Sequence, residues 1–215
     1  MGIRERRERE FKRREREILD AALRLLDGDD WLSVTIEQIA EGAEVGKGTV
    51  YKHFASKDEL YARLSLDHCS DHLNALRGVD PALPLEQRLR AMVQVYWDVH
   101  TQPGICHHVV EYCEADAFRR RLSTDLRLQF EKIESAIYER IFATIQEGME
   151  AGLFPGGPVP PLAMMARATL DGTIRLIRSG VISADDEAEQ LEAVTRFIMA
   201  GLAGNPHSGG RPAGA

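Results

Sequence analysis

Residues 35–64 read TIEQIAEGAEVGKGTVYKHFASKDELYARL. Thr35 is followed three positions later by Gln38, the spacing of a capping box in which hydroxyl and side-chain amide satisfy orphan groups at a helix start. Ile36, Ile39 and Ala40 then give a short helix over about 35–42 a single apolar face. The segment EGAEVG is a tight turn, and a second short helix follows over 46–53. Val50 and Phe54, at i and i+4, turn that helix into a core and leave Lys47, Tyr51 and Lys52 outward. Two short helices joined by a tight turn and packed on a preceding helix make a helix-turn-helix, whose second helix enters a DNA major groove.

The chemistry of the second helix agrees with that use. Gly46 and Gly48 keep bulk off its N-terminus, so backbone amides can approach a phosphate. Lys47 and Thr49 stand at the leading end, where recognition helices meet base edges, and Tyr51 and His53 can donate to phosphates from the far end. Ser56 reads as the next N-cap, with Lys57 in that helix's first turn as half of a phosphate clamp. The candidate DNA-contacting set is Thr35, Gly46, Lys47, Gly48, Thr49, Tyr51, Lys52, His53 and Lys57. An ordinary helical hairpin with a solvated lysine face is the competing reading.

This stretch resembles the DNA-binding domain of the TetR/AcrR family of bacterial transcriptional regulators. Gly48, Thr49, Tyr51, Phe54, Lys57, Glu59 and Leu60 fall where the family pattern places them. Two positions depart from it: Glu44 stands where glycine is usual, and Gly46 where serine or threonine is usual. The resemblance implies an all-α fold, with a three-helix DNA-binding domain over 1–63 and a helical effector-binding and dimerisation domain over 64–204. It further implies a homodimer on a pseudo-palindromic operator, a small-molecule effector, and repression as the commonest outcome.

Outward from this stretch the pattern stays helical. A first helix over about 9–27 carries Phe11, Ile18, Ala22, Leu25 and Leu26 on its apolar side. Its lead, RERREREFKRRERE (4–17), reads either as a salt-bridged solvated start or as an arginine arm near phosphates. Further helices are expected over 57–77, 84–101, 105–115 and 117–151, the last ended by Gly152 and FPGGPVPP. Two final helices, 161–180 and 185–203, suit a dimer interface, with Met165, Gly172 and Leu176 on one and Leu191, Val194 and Ile198 on the other. The tail 205–215 lacks apolar content and is expected to be disordered.

Charge alone would not nominate a nucleic-acid binder. Of the net −7, residues 1–63 hold 13 Lys+Arg against 14 Asp+Glu, so that part is near neutral. This speaks against a purely non-specific architectural binder, whose affinity is phosphate neutralisation. No apolar run reaches the roughly 20 residues that span a bilayer, and no signal-like start is present, so a cytoplasmic protein without a membrane partner is expected.

All three cysteines and five of the seven histidines lie between His68 and Cys113. His68 and His72, at i and i+4, with Cys106 and His107, are candidate metal ligands, and a metal- or thiol-responsive regulator is the alternative reading. No CxxC pair or clear third ligand supports it, so neither metal nor cofactor is favoured. An organic effector pocket would draw on Met92, Tyr96, Trp97, His100, Val109, Tyr112 and Thr173, each of which serves equally as core. No nucleophile–base–orienter set points to an enzyme.

Overall fold

The computed structural model describes residues 2–28, 30–102, 107–183 and 185–204; the tail 205–215 and Cys106, both singled out above, lie outside them. The described chain is helical throughout. In order the helices are α1 (Ile3–Leu26), α2 (Ile36–Gly42), α3 (Lys47–His53), α4 (Lys57–Arg77), α5 (Leu85–Thr101), α6 (His107–Glu114), α7 (Asp116–Arg119), α8 (Thr124–Glu150), α9 (Val159–Arg178) and α10 (Glu187–Ala203). A single 3₁₀ turn, Trp31–Ser33, precedes α2.

Two elements differ from the periodicity reading, each for a local reason. α1 begins six residues early. The Gly2 amide donates to the Glu5 carboxylate at 3.0 Å, and pairs such as Lys12–Glu8 at 3.2 Å hold the polar turns helical. The helix expected over 117–151 is broken at Arg120–Ser123: Phe118 turns into the core, and the Ser123 hydroxyl accepts the Leu126 amide at 3.3 Å to restart the chain as α8.

The described residues pack as two compact units, Met1–Asp71 with Gln102–Ile133, and His72–Thr101 with Glu134–Ala215. In the first, Ile18 and Ala22 of α1, Ile39 of α2, Val50 and Phe54 at α3, and Leu60 of α4 share one core. Val109, Cys113, Phe118 and Phe130 belong to that core too, so α6, α7 and the start of α8 are built into the helix-turn-helix body. The packing boundary therefore does not follow the division at residue 63.

In the second unit, Trp97 of α5, Ile145 of α8, Leu170 and Ile174 of α9, and Val194 and Ile198 of α10 form a separate core. Gly148 is required there: a Cβ on it would come within 2.3 Å of the Phe154 ring, which closes back over the end of α8.

Candidate functional site

α2 starts as its sequence dictates. The Thr35 hydroxyl accepts the Gln38 amide at 3.2 Å, and the Gln38 side chain accepts the Thr35 amide at 2.8 Å. Its end is a Schellman turn, with Val45 N–H on the Ala40 carbonyl at 2.9 Å and Glu44 N–H on that of Glu41 at 3.0 Å. The residue at the left-handed position of this turn is Glu44, φ 55°, the one described non-glycine residue with positive φ. From there Gly46 caps α3 in extended conformation, with open space where a Cβ would stand. Val50 is fully buried, and its carbonyl accepts the Phe54 amide as the helix ends.

This anchoring from below fixes what faces out. Gly46, Lys47, Gly48, Tyr51 and Lys52 are exposed and Thr49 is half-buried, so the leading end and outer side of α3 are open. Lys47 is ion-paired with Glu37 of α2, which raises its pKa, and its ammonium lies 5.8 Å from the Tyr51 ring centre. Exposed pairs of this kind are worth little and exchange readily, so a phosphate or base edge can take the place of Glu37. No spacing rule foretold this pairing across the turn.

The remaining three candidates have partners of their own within the fold. The Thr35 hydroxyl is committed to its cap. His53 is half-buried against Phe11 of α1, ring centres 4.0 Å apart, and burial pushes its pKa below the ordinary histidine value. Lys57 donates back to the Leu32 carbonyl at 2.9 Å and lies 5.3 Å from the Tyr61 ring centre, with burial lowering its pKa. Ser56 does cap α4, accepting the Glu59 amide at 3.1 Å, while Glu59 accepts the Ala55 amide at 2.7 Å.

The seven effector candidates fall into both packed units. Val109 is buried in the first, where Tyr112 meets Trp31 (5.4 Å) and Phe118 (5.0 Å) and accepts from Arg121 at 2.7 Å. Met92, Tyr96, Trp97, His100 and Thr173 belong to the second. There the Tyr96 hydroxyl donates to Asp171, Asp171 pairs with Arg167 at 3.3 Å, and Arg167 donates to the Tyr138 hydroxyl at 2.7 Å. His100 stacks on Tyr96 at 3.9 Å, and His72 meets both rings edge-on at 5.4 Å. Thr173 spends its hydroxyl on the Thr169 carbonyl.

Trp97 donates to Glu187 at 2.8 Å beside a cavity of about 190 Å³ lined by Trp97, Thr101, Ile174, Ile177, Arg178 and Glu187. Only Trp97 of that lining was in the sequence-based set. Arg178 and Glu187 sit at the end of α9 and the start of α10, positions that a sequence reads as ordinary dipole-compensating charges.

Of the candidate metal ligands, His68 and His72 are buried on α4 and His107 opens α6. Among the described residues, no three His, Cys, Asp or Glu side chains gather as a metal would need. Neither Cys69 nor Cys113 is part of a disulfide. Burial drives the Cys113 thiol far above its usual range, which suppresses the reactive thiolate.

A capped α2, a tight turn and an anchored, outward-open α3 define a helix-turn-helix DNA-binding protein of all-helical architecture. The profile describing bacterial regulatory proteins of the tetR family matches residues 18–64. The HTH-type transcriptional regulator YfiR of Bacillus subtilis is 24% identical over 188 residues, covering 82% of this chain and 84% of that protein. Among solved structures, the TetR family regulator PfmR of Thermus thermophilus superposes with TM-score 0.69 at 19% identity, covering 87% of this chain and 97% of its own. FadR of Bacillus subtilis, solved with stearoyl-CoA, superposes with TM-score 0.67 at 17% identity over 86% and 98% of the two chains. Residues 18–64 thus carry the DNA-binding domain of the tetR family of bacterial regulatory proteins, and the chain as a whole has the fold of the solved regulators. Among the described residues no helix is long and apolar enough to cross a membrane.

Proposed function

We propose that this protein is a homodimeric, effector-responsive repressor that reads a pseudo-palindromic operator with paired α3 helices. The observation that carries the reading is the open face of α3. Lys47, Gly48, Tyr51 and Lys52 are solvent-facing on a helix whose other side is pinned by Val50 and Phe54. Self-association through α9 and α10 is supported by Met165 (63% exposed), Leu176 (42%) and Phe197 (68%), large apolar groups left outside the unit's own core. Gly172 and Gly201, with open space at their Cβ positions, would let a partner helix approach closely. Two-fold pairing of this kind sets recognition helices about one helical turn of DNA, roughly 34 Å, apart.

On this reading the effector site lies in the second unit, and the cavity beside Trp97 supports it. Trp97, Ile174 and Ile177 supply apolar walls while Thr101, Arg178 and Glu187 supply polar anchors, the mixture ligand sites use. A ligand there represses or releases DNA only through unequal affinity for two conformations. The stearoyl-CoA of FadR belongs to that protein. Here the lining favours a small molecule with an apolar body and a hydrogen-bonding head.

The test is selection of duplex DNA from a random-sequence pool by the full-length protein, followed by a reporter carrying the selected duplex across its promoter. One enriched inverted repeat whose reporter falls silent supports repression. Rising expression would assign activation, and an enriched single half-site would remove the dimer. Tyr51→Ala is expected to weaken binding to that duplex about tenfold with an unchanged melting temperature, as loss of one specific contact should.

A further inference from the structure

We propose that the N-terminal turns of α1 form a second DNA-contacting element, in which Arg4 and Arg7 grip the phosphates beside the groove that α3 enters. This rests on the reading of α3 as the recognition helix.

The argument begins with one stripe of α1. Ala22 and Ile18 are fully buried, Arg14 and Glu15 are half-buried, and Phe11 lies on the His53 ring at the end of α3. Helical spacing continues this stripe to Arg7 and Arg4, four and seven residues earlier. At 1.5 Å per residue these stand about 6 Å and about 10 Å beyond the Phe11–His53 contact. Half the width of a major groove is about 6 Å, so the same stripe that docks α1 on α3 carries the two arginines to the groove's rim.

Charge pairing leaves the same two residues available, and Arg6 with them; the stripe separates Arg4 and Arg7 from Arg6. Lys12 pairs with Glu8, Arg13 with Glu10 and Glu17, Arg14 with Glu17, and Arg16 with Asp20. Arg4 and Arg7 are exposed and form no ion pair among the described residues. Residues 2–14 hold seven basic side chains against three acidic ones, in a chain whose net charge is −7. At the far end of α3, Lys52 is exposed and His53 lies half-buried against Phe11, so one open cation stands there beside the arm. The helix is also preset, since the Gly2 amide and the Glu5 carboxylate close its first turn before any DNA is present. A helical arm costs less ordering on binding than a coil would.

The test uses the full chain and the duplex selected by the wild-type protein, with affinity measured by anisotropy across a series of salt concentrations. Each phosphate contact contributes about 0.9 to the slope of log affinity against log salt, so Arg4→Gln/Arg7→Gln should lower the slope by about two per protomer. Arg4→Lys/Arg7→Lys should keep it. Arg6→Gln/Arg9→Gln, with equal charge and spacing on another side of α1, should keep it as well. An unchanged slope in the Arg4/Arg7 glutamine pair, or an equal loss in the Arg6/Arg9 pair, would overturn the proposal while leaving α3 as the reader. Failure of the wild-type protein to enrich any duplex would overturn both.

Discussion

The DNA-facing helices of the first unit and the body of the second hold their polar side chains by different logic. In the first, the defining hydrogen bonds at the DNA-facing helices are short in sequence: Thr35 with Gln38, Ser56 with Glu59, Glu37 with Lys47. In the second, Tyr96 reaches Asp171, Trp97 reaches Glu187 and Arg167 reaches Tyr138, across 75, 90 and 29 residues. A surface that must present a fixed face to DNA can be built from caps and turns. The second unit joins its helices through polar side chains far apart in sequence, so that moving one moves the others, as the proposed ligand response would require.

The difference should be plainest when each unit's core is opened. Phe54, 1% exposed, anchors α3 from beneath. Phe54→Ala is expected to cost about 3–5 kcal/mol, as large-to-small changes at buried phenylalanines do. Hydrogen exchange should then quicken in α1–α3 well before α9 and α10. Uniform quickening would mean that the two units unfold as one and would break the comparison.

Next in size is the ladder of the second unit. Tyr96 is 9% exposed and its hydroxyl is the donor that ties α5 to Asp171 of α9. Tyr96→Phe should lower stability by about 1–2 kcal/mol, the range for leaving a partly buried acceptor without its donor. A melt with the same midpoint as wild type would show that the ladder is ornamental rather than a coupling between helices.

How far each unit could be read from its residues follows from that distance along the chain. The capping box at Thr35, the inward pair Val50 and Phe54, and the Ser56 cap are local patterns, so α2, α3 and the start of α4 were legible almost to the residue. The helices of the second unit were legible as well, because their apolar stripes are periodic. Their inventory of contacts was not. Nothing in the spacing of Trp97, Ile174, Arg178 and Glu187 tells that they meet around one cavity, or that Val109 and Tyr112 pack with Trp31 and Phe118 instead. Lys57 shows the same limit within the first unit: its place in a helix's first turn suggests a phosphate, yet its ammonium finds Leu32, 25 residues back. Lys57→Ala should accordingly leave the salt slope of operator binding unchanged and cost about 1 kcal/mol of stability.

Three helices end in the same Schellman turn, which sharpens the contrast further. α8 and α9 place Gly152 (φ 73°) and Gly180 (φ 72°) at the left-handed position, and α2 places Glu44 there. A residue with a Cβ pays about 1 kcal/mol or more in that conformation, so strain sits in the turn that leads into α3. Glu44→Gly should raise stability by about 1 kcal/mol and raise affinity for the selected duplex modestly by removing a negative charge near the groove. A loss of stability would show that the Glu44 side chain holds the turn through a contact of its own.

The smallest effect tests the seam between α1 and α3. Burial against Phe11 holds the His53 pKa below its unfolded value, with Glu15 opposing the shift and Arg14 aiding it. The unfolded chain therefore takes up the proton first as pH falls. The contribution of neutral His53 is complete above about pH 6.5, declines as pH drops through that value, and levels off once the folded state is protonated as well. Between about pH 8 and about pH 5.5, wild type should thus lose more thermal stability than His53→Phe, which keeps the ring contact and cannot titrate. Equal losses would place the acid sensitivity elsewhere and leave the Phe11–His53 contact as packing alone. A greater loss in wild type would mean that protonation loosens the arm that carries Arg4 and Arg7, at the pH where a charged His53 would itself begin to attract phosphate.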